Sequence, residues 1–408
     1  MTKVEDDLGA GTSTDLSHAP IEVLIPAVRQ RARRRRLRNL AIVLAAAALV
    51  VGAIAFTGGR SPARHRTARS VPPSSHASTF SKTPAVSPKT PGSLAVGPNG
   101  ELYIADTTRD QVLRRLPNGS FEVVAGTGVA GDSGDGGSAL QAEINGPGSL
   151  TIAPDGAVYF VQPGRTKVTG GMFNSVVREV APNGRITTII GQGPNCGAVP
   201  SKSTSVPAKS AEFDGAELSI GTGGLLDLST TVCPNILNDL GSFLQLASSG
   251  ELVQTSADLV PGTPGYCTGG TAGPGFVVFG CASGARRGPR LMVVRSNGST
   301  ENYPDHGSQL NNTSSSGGTV VAFHNGAVVR VEANGLKTIA TARQLSNVVP
   351  GTVGAMGDNG IAIDRHGNIY VNPDFLFGRH GCTDVILEIH ASGPITMLWR
   401  PAPGGTCY

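Results

Sequence analysis

Three stretches far apart in this chain share one pattern: GSLAVGPNGELYIAD (92–106), GSLTIAPDGAVYFVQ (148–162) and GIAIDRHGNIYVNP (360–373). Each runs from an apolar segment through a polar turn with glycine to a second segment bearing tyrosine. Leu94, Leu150 and Ile361 align, as do Gly100, Gly156 and Gly367, and Tyr103, Tyr159 and Tyr370. Short apolar runs around Pro-Asn-Gly or Pro-Asp-Gly suit β-hairpins. A further strand-turn-strand follows each stretch, in QVLRRLPNGSFEVVAG (111–126), SVVREVAPNGRITTIIG (175–191) and DVILEIHASGPITMLW (384–399). One unit is therefore four antiparallel strands, the size of a propeller blade.

Tyr103 and Tyr159 are 56 residues apart, and Tyr103 and Tyr370 are 267 apart. Five intervals fit that distance, so the chain carries six blades. The middle three are degenerate and fall at 217–255, 276–303 and 318–341, the fifth with a poorly defined first strand. A parallel β-helix also repeats, but its coils are shorter and lack hairpin runs. With 56 Gly and 28 Pro in 408 residues, the composition favours turns and short strands.

The pattern P-x-x-L-A-V-x-P-x-G-x-L-Y-I-A-D followed by an apolar-basic strand resembles the NHL repeat. That resemblance implies an all-β, six-bladed β-propeller over residues 92–402, with 403–408 as a tail. The chain departs from the family pattern after YIAD, where Arg109 and Gln111 stand in place of the usual Asn and Arg, and VYFVQ lacks the Asp.

Ahead of the repeats, LAIVLAAAALVVGAIAF (40–56) is uncharged. As a helix it rises about 26 Å, near the minimum for crossing a bilayer core. Seven arginines precede it between residues 29 and 38, and four follow between 60 and 69. The positive-inside bias puts the basic tail, 1–38, in the cytoplasm, a transmembrane signal anchor at 39–57 and the rest outside. A cleaved signal peptide, with Ala53-Ile54-Ala55 as the cleavage site, is the competing reading. Residues 58–91, rich in Ser, Pro and Arg, form an unstructured stalk. The cytoplasmic tail is too short for a catalytic domain, so any signalling needs a partner inside.

Charge follows the same division. Residues 92–408 hold 19 Lys and Arg against 24 Asp and Glu. The positive charge lies beside the membrane segment, which argues against nucleic acid as a partner. All six cysteines (Cys196, Cys233, Cys267, Cys281, Cys382, Cys407) lie beyond the anchor. An even number outside the cell suggests disulfides, in sequential pairs 196–233, 267–281 and 382–407.

VVAGTGVAGDSGDGG (123–137) contains a literal GxGxxG. No helix opens after it, so it is not a dinucleotide fingerprint, and no nucleotide is expected. Asp132 and Asp135 are weak calcium candidates, without the alternating oxygens of an EF-hand. The loop instead reads as the connector between blades. SALQAEINGPGSL (138–150) resembles PAKSAEFDGAELSI (207–220), with Ala139 and Ala208, Ala142 and Ala211, and Glu143 and Glu212 in register. Such connectors should share one face of the disc, where propellers commonly take partners.

Chemistry-bearing clusters are thin. His366, His380 and His390 lie in one blade near Asp364 and Asp384, but strand alternation should scatter them. Asn118, Asn297 and Asn311 match glycosylation acceptors, but all suit hairpin turns, and the turn reading is favoured. Arg286, Arg287 and Arg290 form a basic excursion in blade four that suits a solvated loop or an anionic wall polymer. The sequence supports a membrane-anchored extracytoplasmic propeller that binds or senses a protein or cell-envelope ligand on one face. The alternatives are an exported propeller enzyme of metal-dependent lactonase, hydrolase or lyase type, and a structural envelope scaffold.

Overall fold

The computed structural model describes residues 85–167, 173–191, 205–211, 213–221, 224–232, 242–254, 267–281, 290–304, 313–349, 355–377 and 381–401. They form six antiparallel sheets, each a meander. Blade one is β1 (Pro91–Val96), β2 (Leu102–Asp106), β3 (Gln111–Arg115) and β4 (Phe121–Ala125). Blade two is β5 (Leu150–Ile152), β6 (Val158–Lys167), β7 (Phe173–Val180) and β8 (Ile186–Ile190). Blade three is β10 (Phe213–Ile220), β11 (Leu226–Val232), β12 (Ser242–Leu246) and β13 (Glu251–Gln254), edged by the short β9 (Val206–Pro207). Blade four is β14 (Cys267–Gly273), β15 (Phe276–Cys281), β16 (Arg290–Arg295) and β17 (Thr300–Pro304). Blade five is β18 (Thr313–Ser316), β19 (Thr319–His324), β20 (Ala327–Glu332) and β21 (Gly335–Ala340), followed by the helix α1 (Ala342–Asn347). Blade six is β22 (Ala355–Ile363), β23 (Ile369–Phe377), β25 (Ile386–Ile389) and β26 (Ile395–Trp399), with β24 (Gly381–Asp384) on the extended end of β23.

The first strands touch in a closed circuit, β1 to β5, β10, β14, β18, β22 and back to β1. The expected six-bladed all-β propeller is therefore the observed fold. Each sheet is buried on both faces because it packs against the sheets on either side. Blades one and two share a core with Tyr103, Val112, Phe160 and Ile186. Blades two and three share Val177, Ile190, Leu228 and Leu244, and blades five and six share Phe323, Val328, Val371 and Leu387. The ring closes where Leu94, Ile104 and Leu113 of blade one meet Ala362, Tyr370 and Ile386 of blade six.

Residues 86–91, stalk by composition, belong to the propeller. Val86 N–H donates to Phe121 C=O at 2.9 Å, extending the outer edge of blade one. Trp399 Nε1 of blade six donates to Ser87 Oγ at 3.2 Å. The backbone N–H groups of Lys89 and Thr90 donate to the buried Asp106 carboxylate at 2.6 and 3.1 Å. This strap spans the seam between the first and last blades. The Asp of YIAD thus fastens incoming chain.

The aligned tyrosines also have a structural role. Each lies opposite a charged residue on the third strand: Tyr103 opposite Arg114, Tyr159 opposite Glu179, and Tyr370 opposite Glu388. Blade three replaces the pair with Asp227 and Gln245, and blades four and five with Val277–Val294 and Val320–Val331. Two first strands missed by sequence reasoning, CTGGTAG of blade four and TSSS of blade five, line the polar channel and carry no apolar alternation.

No helix among the described residues is long and apolar enough to cross a membrane, and the expected anchor at 39–57 lies outside them. Cys196, Cys233 and Cys407, His380, Arg286, Arg287 and Asn311 also lie outside the described residues.

Asp227 gives the fold a pH dependence. Burial pushes its pKa up from 3.8 to about 6, against the hydrogen bond from Gln245 Nε2 at 2.8 Å. A raised carboxyl pKa means its stabilisation is complete below the unfolded value and fades as pH rises through about 6. Stability should fall by up to about 3 kcal/mol between pH 4 and pH 7.5 on this account. Urea midpoints should show this slope in the wild type and a flatter one in Asp227→Asn.

Candidate functional site

The glycine loop of residues 126–137 comes first, because its sequence invites a cofactor. Several of its N–H groups are already used. Gly126, Thr127 and Gly131 donate to the carbonyls of Ala139, Ala142 and Ile144 at 3.0, 2.9 and 3.2 Å. Gly126 has φ +96°, and a Cβ there would collide with the carbonyl of Asp110. Gly191, its counterpart after blade two, has φ +92° and the same crowding against Ser175. The two 3₁₀ turns that follow, Ala139–Gln141 and Ala208–Ser210, accept from these glycines at 3.0 and 3.2 Å. The connector alignment read from sequence is thus a structural one.

Asp135 has a cation of its own. Arg178, on β7, is fully buried, and its Nη2 lies 2.9 Å from Asp135 Oδ1. The same carboxylate accepts from Thr188 N–H at 3.0 Å and from Thr188 Oγ1 at 3.2 Å. Arg178 and Thr188 are paired across β7 and β8 where blade one pairs Leu113 with Val123. Blade two therefore carries a charge at a core position, and the loop folds over to neutralise it. Burial lowers the Arg178 pKa, while Asp135 and then Asp132 hold it up. Arg178 Nε and Nη1 find no hydrogen-bond partner, so the charge is incompletely compensated. Among the described residues no group of three His, Cys, Asp or Glu is placed to hold a metal ion.

The structure brings His366 and His390 to one groove, of about 440 Å³, between the turns of blades five and six. Alternation predicted them apart. Both line the groove because they sit in hairpin turns at the same end of blade six rather than on its strands. His390 Nε2 lies 3.1 Å from Thr396 Oγ1, and His366 Nδ1 lies 3.7 Å from Asp364. Asp364 itself accepts from the His366 and Asn368 N–H groups at 2.8 and 2.9 Å, which makes it a turn residue. Asn118 and Asn297 accept the N–H and hydroxyl of Ser120 and Ser299, closing their hairpins as turn chemistry requires.

A wide concavity lies on the ring axis. The first hairpin turns of all six blades wall a vestibule of about 630 Å³, including Pro98, Pro154, Pro274 and Arg365. Val96, Ile152, Ile220, Ser315 and Ile363, at its channel end, also line the interior beyond. That interior is about 120 Å³ and is rich in Ser and Thr hydroxyls. Several of these stitch blades together. Ser93 Oγ accepts from Leu150 N–H at 3.0 Å, Ser149 Oγ accepts from Leu218 N–H at 2.8 Å, and Thr271 bonds Thr313. Among the described residues Glu217 is the one ionisable side chain lining the interior. Its Oε2 accepts from Ser149 Oγ at 3.0 Å. Burial raises its pKa, and the Ser149 hydrogen bond opposes that. Sequence reasoning passed over Glu217; the signal for it was the alignment of GSL at 92–94 and 148–150 with AEL at 216–218.

The fold and this axial site define a six-bladed β-propeller with a polar channel. No family model matches the chain. A stretch of 112 residues is 35% identical to Teneurin-1 of Gallus gallus and of Homo sapiens. It covers 24% of this chain and 4% of those proteins, so the chain spans a small part of the curated relatives it matches. Among solved structures, a streptogramin B lyase is similar at 12% identity and a TM-score of 0.44, over 77% of this chain and 84% of that one. A gluconolactonase of Xanthomonas campestris is similar at 11% identity and a TM-score of 0.45, over 77% and 88%. The PQQ-bound aldose sugar dehydrogenase of Streptomyces coelicolor is similar at 15% identity and a TM-score of 0.43, over 76% and 96%. Likeness at this level transfers no activity to this chain.

The Arg178 clamp is testable as a cycle. Asp135→Ala leaves a buried guanidinium uncompensated and should cost about 2–3 kcal/mol, below the full cost of breaking a buried pair because Asp135 is partly exposed. Arg178→Leu, which installs blade one's residue, should be close to neutral or stabilising. In the Arg178→Leu background, Asp135→Ala should cost little. Urea midpoints of the four proteins check the cycle.

Proposed function

We propose that this chain is a ligand-binding propeller, held outside a membrane by a single span at residues 39–57, with the axial vestibule and channel as its binding site. The carrying observation is the vestibule itself: about 630 Å³, walled by turns from every blade and continuous with a hydroxyl-lined interior. That volume is in the range of ligand pockets. Its walls are rigid, since prolines fix three of the six turns. The arginine asymmetry around 40–56 supports the orientation. A disulfide between Cys267 and Cys281 belongs to the same proposal. Their Cα atoms are direct partners in the β14–β15 ladder, a separation that a disulfide can span.

The exported-enzyme alternative draws on one observation, the Glu217 carboxyl that burial holds towards its protonated form, as a general acid requires. It needs turnover of a substrate that the binding reading does not.

Photo-crosslinkers placed at Pro98 and Pro274 in the full chain, expressed in intact cells, test the binding site. Crosslinked partners should form from these positions and disappear when Ser315→Trp fills the channel neck. Crosslinks unaffected by that substitution would contradict the site. Protease added to intact cells should remove the propeller, and non-reducing peptide mapping should return a Cys267–Cys281 link. Protection from protease would reverse the orientation.

A further inference from the structure

We infer that the channel takes a primary ammonium group on an unbranched apolar stem, with Glu217 as its counter-ion. The inference rests on the reading of the vestibule and channel as the binding site and names the chemistry of its ligand.

The first argument is register. Ser93 Oγ receives Leu150 N–H, and one blade on Ser149 Oγ receives Leu218 N–H. Ser93 and Ser149 each precede the leucine of their own inner strand, and Glu217 precedes Leu218 in the same way. Glu217 thus stands at the serine position of blade three. The seam between blades one and two closes through Ser93 Oγ with a serine, Ser149, where blade three has Glu217. A hydroxyl therefore suffices for the stitching, and the carboxyl is extra to it.

The second argument is energetic. A carboxylate in a small cavity loses hydration, and burial drives the Glu217 pKa upwards although Ser149 donates to it. Among the described residues no cationic side chain lines the interior, and the ionisable groups of the vestibule are Asp364 and Arg365. A residue that is costly in the empty protein and unnecessary to the seam is explained by a bound cation.

The third argument is shape. The interior of about 120 Å³ has room for an ammonium head group. An ammonium has three donors, and the Glu217 carboxylate and the hydroxyls of Thr151 and Ser315 line the space it would enter. The lining shared by vestibule and interior is Val96, Ile152, Ile220 and Ile363 with Ser315, mostly aliphatic, and matches a methylene stem. A divalent ion would want several carboxylates, and the described lining offers one.

The full chain in detergent micelles is titrated calorimetrically with n-butylammonium, n-butanol and Nα-acetyl-lysine amide at pH 7.5 and pH 4.5. The inference expects saturable n-butylammonium binding at pH 7.5 that weakens at pH 4.5, because the carboxyl must lose its proton to pair. Binding at pH 4.5, where the raised carboxyl carries more proton, should release protons to buffer. Glu217→Gln and Glu217→Ser should each weaken it about tenfold or more, with an unfolding temperature no lower than the wild type's. The serine variant carries blade two's own residue, so loss of binding there is not loss of fold. Tighter binding of the lysine amide than of n-butylammonium would identify a lysine side chain as the source, and the reverse a free amine. Equal binding by wild type and both variants overturns the inference, as does an absence of saturable n-butylammonium binding. If n-butanol binds as well as n-butylammonium, the ammonium assignment falls while the channel remains a binding site. The vestibule crosslinks judge that site separately.

Discussion

The structure depends on burial of both faces of every sheet against its neighbours. A four-stranded sheet with two apolar faces is insoluble alone, and the ring provides each face with a partner. The demand is cyclic, so the first and last blades must meet as well as any other pair. Leu94, Leu113, Tyr370 and Ile386 do this with side chains. The strap at 86–90 is bonded to blade one at Phe121 and Asp106 and to blade six through the side-chain hydrogen bond from Trp399 to Ser87.

Within that constraint, departures from the repeat are informative. Arg178 occupies a leucine position and is neutralised by the loop before it. Asp227 occupies a tyrosine position and is held by Gln245. Each of these polar intrusions has a side-chain partner within the fold, although two nitrogens of Arg178 stay unpaired. Glu217 differs, because Ser149 supplies one hydrogen bond and the carboxyl lines open space. The same comparison between blades that explains the first two residues leaves the third without a structural reason.

Much of the fold was legible in the sequence, and the reason is local. Blades one, two and six keep Tyr and a Gly turn in register, so their hairpins declare themselves. The inner strands Cys267–Gly273 and Thr313–Ser316 did not, since a strand facing a polar channel loses the apolar alternation that marks a strand. The glycine loop was correctly read as a connector from its second copy, but nothing in the sequence tied Asp135 to Arg178, 43 positions away. His366 and His390 were separated by a strand rule that does not apply to turns. Glu217 was hidden inside an ordinary strand. It emerges only when hydrogen bonds fix which residues of successive blades are equivalent.

The central claim is that the channel holds an under-compensated carboxyl. Carboxyl ¹³C NMR of glutamate-labelled full chain in micelles, assigned with Glu217→Gln, reads its titration directly. The account predicts that the empty protein titrates Glu217 above the ordinary glutamate range and that n-butylammonium moves it down. A Glu217 resonance that titrates in the ordinary range and does not respond to n-butylammonium would contradict it.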